Sequence, residues 1–107
     1  MQARHLFPED QVVLREVGLR DGLQLTKQYP TTEQKLEWLN LEYRAGVRHF
    51  ELGSFLPAAR FPQFADLREL IKATSGLMGA FSTALTLNER GVADALETQV
   101  DEMIFVV

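Results

Sequence analysis

Arg20, Asp21, Gln24 and Glu51 are the side chains in this sequence whose types and spacing suit chemistry. Arg20 and Asp21 adjoin in the stretch VGLRDGLQ, where Gly22 frees the chain to turn and Gln24 follows; Glu51 stands in VRHFELGSF, with Gly53 and Ser54 just behind it. A guanidinium set between two carboxylates is only partly neutralising. One acid remains for a hard divalent cation, and the guanidinium keeps donors for an oxygen that gains charge during a reaction. Spacing alone favours a plainer reading, an Arg20–Glu51 ion pair with Asp21 serving an Asp-Gly turn. Ser54 likewise reads first as a turn hydroxyl. His5 and His49 are the only imidazoles. Neither is a strong metal-ligand candidate, since His5 lies in the leading tail and His49 precedes Glu51 by two positions. Trp38, Tyr43 and the phenylalanines at helical spacing read as core, and Glu33, Lys35 and Glu37 as a solvated helix face. No GxGxxG, Walker or HExxH pattern occurs.

These residues need elements to position them. An apolar run at Gln11–Val17 reads as a first strand. Thr31 and Gln34 have the spacing of a capping box, opening a helix with Leu36, Leu39 and Tyr43 on one stripe and Gly46 at its end. Val47–Leu52 reads as a second strand, followed by the loop GSFLPAARFPQ. Pro62 suits the first turn of a second helix carrying Phe64, Leu67 and Ile71, which Gly76 closes. Leu77–Leu85 reads as a third strand, Asn88 as the cap of a third helix with Val92, Ala95 and Leu96, and Asp101–Val107 as a fourth strand. This alternation predicts an α/β fold with a parallel sheet and right-handed crossovers.

The repeat length is that of a (β/α)8 TIM barrel, which needs about 250 residues. A chain of 107 residues supplies under half of one, so 1–107 is expected to be one incomplete barrel domain, β1 to β4. The ending DEMIFVV, an apolar and β-prone run, fits a part of something longer. Chemistry in such folds gathers at the C-terminal ends of strands. The first strand is expected to end at Arg20-Asp21-Gly22, the second at Glu51, and the third near Thr83–Thr86. Neighbouring strands lie about 5 Å apart, within reach of one another's side chains.

Composition is that of a soluble globular protein, 46% hydrophobic and 24% charged. A formal net charge of −4, with no gathering of Lys and Arg, argues against nucleic acid. The absence of Cys removes disulfides and Cys-based metal sites. No apolar run approaches the roughly 18 residues that span a bilayer, and MQARHLFPED lacks the apolar core of a signal peptide. A cytoplasmic protein that binds no membrane is the expectation.

The stretches LREVGLRDGLQ, GVRHFELGSF and FPQFADLREL resemble the N-terminal part of the 3-hydroxy-3-methylglutaryl-CoA lyases, a family of the DRE-TIM metallolyases with a pyruvate carboxyltransferase-like barrel. The resemblance implies a carbon–carbon lyase that uses a divalent metal, Mg2+ or Mn2+, on an acyl-CoA substrate, as a homodimer or larger oligomer when complete. It implies that Asp21 is a metal ligand and that Arg20 stabilises the enolate-like oxygen. Glu51 would order the arginine and the hydrogen bonds around it, and Gln24 and Ser54 stand as substrate contacts. Leu23 separates the lyases from related synthases, which usually carry Glu there. This sequence departs from the family's RDGLQNE at Leu25 and Thr26, and its loop LPAARFPQ offers Arg60 where a lysine is common. The family's His-x-His pair, further Asn and catalytic Cys fall later in the barrel, so the 107 residues alone are expected to be inactive. Another DRE-TIM enzyme, a condensing synthase or a pyruvate aldolase, and a short non-catalytic α/β protein remain as alternatives.

Overall fold

Thr31 starts the first helix by reciprocal capping. Its hydroxyl accepts from the Gln34 N–H at 3.1 Å, and the Gln34 side chain accepts from the Thr31 N–H at 2.8 Å. Two donors that a helix start leaves open are thereby satisfied. The helix, α1, runs Thr32–Arg44, and beyond its end Gly46 takes a φ of +107°, a conformation that an L side chain resists. The structure is a computed structural model and describes residues 10–106.

Strands β1 (Arg15–Glu16), β2 (His49–Ser54), β3 (Phe81–Thr86) and β4 (Glu102–Phe105) form a four-stranded sheet in that order, all parallel. Helices α2 (Leu67–Ser75) and α3 (Glu89–Leu96) complete the alternation, with Asn88 capping α3 through the Gly91 N–H at 2.8 Å. Every residue of β2 is buried, as befits an inner parallel strand covered on both faces. The core includes Phe50, Leu52 and Ala84 from the sheet and Leu39, Leu67, Leu70, Ile71 and Ala95 from the helices. Each large member contributes about 1.5–3 kcal/mol by leaving water.

On one face, Arg15 of β1 reaches Glu102 of β4, Nη2 to Oε1 at 3.0 Å, and the Thr83 hydroxyl of β3 donates to the same oxygen at 3.1 Å. Three strand spacings amount to about 14 Å on a flat sheet. Side chains that leave a sheet roughly perpendicularly meet over that span because the sheet curls towards them. This concave, polar face is the inside of a barrel wall.

Several boundaries differ from the sequence expectation. The first strand shrinks from Gln11–Val17 to Arg15–Glu16, because its pairing begins where Arg15 meets His49; Val12 and Leu14 are left exposed. The second strand starts two residues late, since the Val47 N–H is still bonded to the Glu42 carbonyl of α1 at 3.1 Å. Glu51 therefore lies inside β2 instead of at its end, beside a register shift between Glu51 and Gly53. The third strand loses Leu77–Ala80 to a turn in which Gly79 has a φ of +77°. Pro62 opens a separate 3-10 turn, Pro62–Phe64, ahead of α2. The fourth strand is Glu102–Phe105, and Val107 lies outside the described residues. Among the described residues no helix is long and apolar enough to cross a membrane.

Candidate active site

The carbonyl of Val17 gathers the chain after β1. It accepts from the N–H groups of Arg20, Asp21 and Gly22 at 3.1, 2.8 and 3.4 Å. Arg20 and Asp21 thus sit in a tight turn beyond the strand, not on its last residues as the sequence suggested. Gly22 is demanded by sterics, because a Cβ there would lie 2.5 Å from the Gly18 carbonyl oxygen.

From this turn Arg20 Nε donates to Glu51 Oε2 at 2.8 Å. Its Nη1 lies 3.5 Å from Asp21 Oδ1 and 3.5 Å from Gln24 Oε1, the latter at the limit of a hydrogen bond. The structure thus brings Arg20, Asp21, Gln24 and Glu51 together. Glu51 is almost sealed, its side chain 6% exposed, whereas Arg20 is 21% exposed and Asp21 67%. A buried carboxylate without a partner costs several kcal/mol, so Glu51 fixes the Nε edge of the guanidinium. Among the described residues Arg20 Nη2 makes no hydrogen bond. A guanidinium with five N–H donors, clamped on one edge and open on the other, suits an incoming oxyanion.

Among the described residues no group of three His, Cys, Asp or Glu side chains is placed to hold a metal. Asp21 fits as a single oxygen ligand: it is an exposed carboxylate, and a Mg2+-type ion takes one or two carboxylates together with waters. Ser54 is buried at the end of β2, beside a cavity of about 180 Å³ shared with Phe64, Leu67 and Arg68. No hydrogen bond joins it to the Arg20 cluster among the described residues. His5 lies outside the described residues. His49 is buried at the start of β2, its ring centroid 5.2 Å from that of Phe81. Burial, and after it the Arg15 cation, lower its pKa from the ordinary 6.5, with Glu102 opposing. Arg60 is exposed, and Leu25, directly after Gln24, is 92% exposed.

Sequence reasoning missed a second polar cluster. Lys35, expected on a solvated face, is 3% exposed. Its Nζ donates to Asp66 Oδ1 at 2.8 Å and to the Gln63 carbonyl at 2.6 Å, and the Thr32 hydroxyl donates to Asp66 Oδ2 at 2.8 Å. Half of the signal was available, because Lys35 precedes the core residue Leu39 by four positions and so shares its stripe, but no local spacing points to Asp66 as its partner, 31 residues away.

No family model matches the chain. It is 35% identical over 91 residues to a hydroxymethylglutaryl-CoA lyase of Bacillus subtilis, covering 85% of this chain and 30% of that one. It is 36% identical over 92 residues to a 3-hydroxy-3-isohexenylglutaryl-CoA/hydroxymethylglutaryl-CoA lyase of Pseudomonas aeruginosa, covering 86% and 31%. Among solved structures, a hydroxymethylglutaryl-CoA lyase of Pseudomonas aeruginosa superposes with a TM-score of 0.79 at 35% identity, over 89% of this chain and 32% of that one. An HMG-CoA lyase of Acinetobacter baumannii in complex with coenzyme A and 3-methylmalate superposes with a TM-score of 0.80 at 27% identity, over all of this chain and 34% of that one. The chain spans about 30% of the length of the curated relatives it matches. Its four-stranded sheet is a partial TIM barrel.

Proposed function

We propose that this chain, a homologue of the hydroxymethylglutaryl-CoA lyases, supplies the arginine–glutamate part of a carbon–carbon lyase site. In the complete protein that site cleaves 3-hydroxy-3-methylglutaryl-CoA, or a close analogue, to acetyl-CoA and acetoacetate. The observation that carries the reading is Arg20, held by Glu51 at 2.8 Å on one edge with its other edge open. Kinship with a lyase solved in complex with coenzyme A supports an acyl-CoA substrate. Residues 1–107 are read as one partial barrel domain, whose other strands complete the site.

In this reaction the 3-hydroxyl gives up its proton, the bond between the hydroxyl-bearing carbon and the α-carbon breaks, and its electron pair moves onto the thioester oxygen as an enolate. Protonation of the α-carbon then releases acetyl-CoA, and the carbonyl left behind is acetoacetate. Arg20 meets the developing oxyanion with preorganised N–H donors, an interaction worth roughly 3–4 kcal/mol. Glu51 keeps the guanidinium from swinging away, and its burial makes that hold stiff. The chemistry that a divalent cation, Mg2+ or Mn2+, would supply with Asp21 among its ligands is acidification of the 3-hydroxyl. Gln24 lines the same mouth as a substrate contact. Ser54, which among the described residues makes no bond to the cluster, stands as a weaker substrate contact. A cytoplasmic homo-oligomer is part of the same reading.

The complete protein, given 3-hydroxy-3-methylglutaryl-CoA and Mg2+ or Mn2+, is expected to release acetyl-CoA and acetoacetate in equal amounts and to stop on chelation. The homologue with a longer 3-alkyl group belongs in the panel, because a relative is named for such a substrate and exposed Leu25 adjoins Gln24. Failure to cleave either thioester overturns the reading.

A further inference from the structure

Residues 19–30 carry Arg20 and Gln24, and their backbone is tied to itself more than to the fold. Among the described residues the backbone bonds here are local: Arg20, Asp21 and Gly22 to Val17, Gln24 to Asp21, and Thr26 to Leu23. The exception is the Gln24 carbonyl, which accepts from Gln63 Nε2 at 2.9 Å across 39 residues. Gln63 is itself buried, and its backbone carbonyl is held by the Lys35 amine at 2.6 Å. The amine is in turn held by Asp66 at 2.8 Å. One hydrogen-bonded chain therefore runs from α1, through the segment ahead of α2, to the far end of the turn that presents Arg20.

We propose that Gln63, anchored by the Lys35–Asp66 pair, is a positioning residue for Arg20, clamping the exit of its turn while Val17 holds the entry. The inference rests on the lyase reading for its kinetic consequence but not for its structural one. Arg20 has a single short side-chain bond, to Glu51, so the backbone must be fixed for the guanidinium to point one way. Such a residue acts on turnover more than on substrate affinity, since the oxyanion that Arg20 meets exists only in the transition state. Gln63 is suited to this test because its Oε1 is buried and makes no hydrogen bond among the described residues. Replacing it with an apolar side chain of similar length therefore removes an unsatisfied acceptor along with the donor, which limits the cost to folding.

The experiment compares Gln63→Met and Gln63→Leu with the parent in the complete protein. It reads kcat, KM, the thermal unfolding midpoint, and solvent exchange of the Arg20 Nε–H by NMR. The expected result is Nε–H exchange at least about tenfold faster, kcat lowered about tenfold, KM within about twofold and cooperative unfolding retained. Unchanged Nε–H exchange in both variants overturns the proposal whatever the kinetics. Equal changes in kcat and unfolding midpoint, with exchange unaltered, mark Gln63 as merely structural and also overturn it. If exchange quickens in a protein whose parent cleaves no thioester, the positioning role stands and the lyase reading falls.

Discussion

Two ion pairs in this protein, each with one buried partner, are built to opposite ends. Lys35 and Asp66 are turned inward: the ammonium, 3% exposed, gives two of its three N–H groups to a carboxylate and a carbonyl, and both carboxylate oxygens are taken, one by Lys35 and one by Thr32. Arg20 and Glu51 are joined by one short bond, and the guanidinium keeps an unbonded edge among the described residues. Each pair removes charge from water, and each would be costly if broken. A closed pair can only hold elements together. A pair closed on one side holds a donor ready for something else, and this asymmetry, more than the presence of charge, marks the site.

Breaking the closed pair should give the largest effect on stability. Lys35→Met leaves Asp66, 13% exposed, with a single hydroxyl donor, and about 2–4 kcal/mol of unfolding free energy is expected to disappear, short of the full cost of a sealed unpaired charge. Replacing both partners, Lys35→Met with Asp66→Leu, should recover most of it, because no charge is then left unpaired. Denaturant titration of the complete protein reads both variants. A double variant as unstable as the single one would show that the pair is not a self-contained unit.

Arg20→Gln tests the open pair. The glutamine amide still reaches towards Glu51, so the stability loss is expected to stay within about 2 kcal/mol. Turnover should fall about a thousandfold, the cost of losing a donor to a developing oxyanion. A variant that unfolds but turns over normally for its folded fraction would reverse the comparison and make this pair the structural one. Gly22→Ala keeps every charged group yet forces a Cβ against the Gly18 carbonyl. It displaces the turn, and about a hundredfold loss of kcat is expected, the scale of an ångström's misplacement. Unaltered kcat would mean that the turn does not set the arginine.

The open pair was legible in the sequence and the closed one was not, for a physical reason. The pairing of Arg20 with Glu51 followed from their places near the ends of successive apolar runs, although spacing alone read the pair as structural and only the family resemblance gave it a role. The capping residues Thr31 and Asn88 were legible because short-range bonds follow from short-range spacing. Lys35 sits among other charges on a helix and looks solvated. Its burial depends on Asp66 arriving from 31 residues away, and local pattern carries no record of that meeting. The strand ends were misjudged on the same ground. Apolar run length sets where a strand is possible, but the neighbour's register decides where pairing starts, as with Arg15 on His49.

The smallest expected effect lies below the open pair, on the same curled face, where Arg15 and Glu102 bridge β1 to β4 beside His49. The His49 pKa is lowered from 6.5, first by burial and then by the Arg15 cation, with Glu102 acting the other way. A histidine with a lowered folded-state pKa favours the neutral ring in the fold and takes up its proton more readily in the unfolded chain. Its contribution to stability is therefore complete above about pH 6.5 and is lost as pH falls through that value towards the folded pKa. Stability measured from pH 7.5 to 5.5 should decline on the acid side, and His49→Gln, which cannot titrate, should flatten that decline without altering stability's pH dependence above pH 7. Turnover of folded protein at pH 7.5 should not change, because His49 lies two residues before Glu51 and the side-chain bonds of Arg20 among the described residues go to Glu51 and Gln24. Coincident slopes for parent and variant would show that protonation of this ring costs the fold nothing. Lost turnover at pH 7.5 would extend the open site down into the barrel.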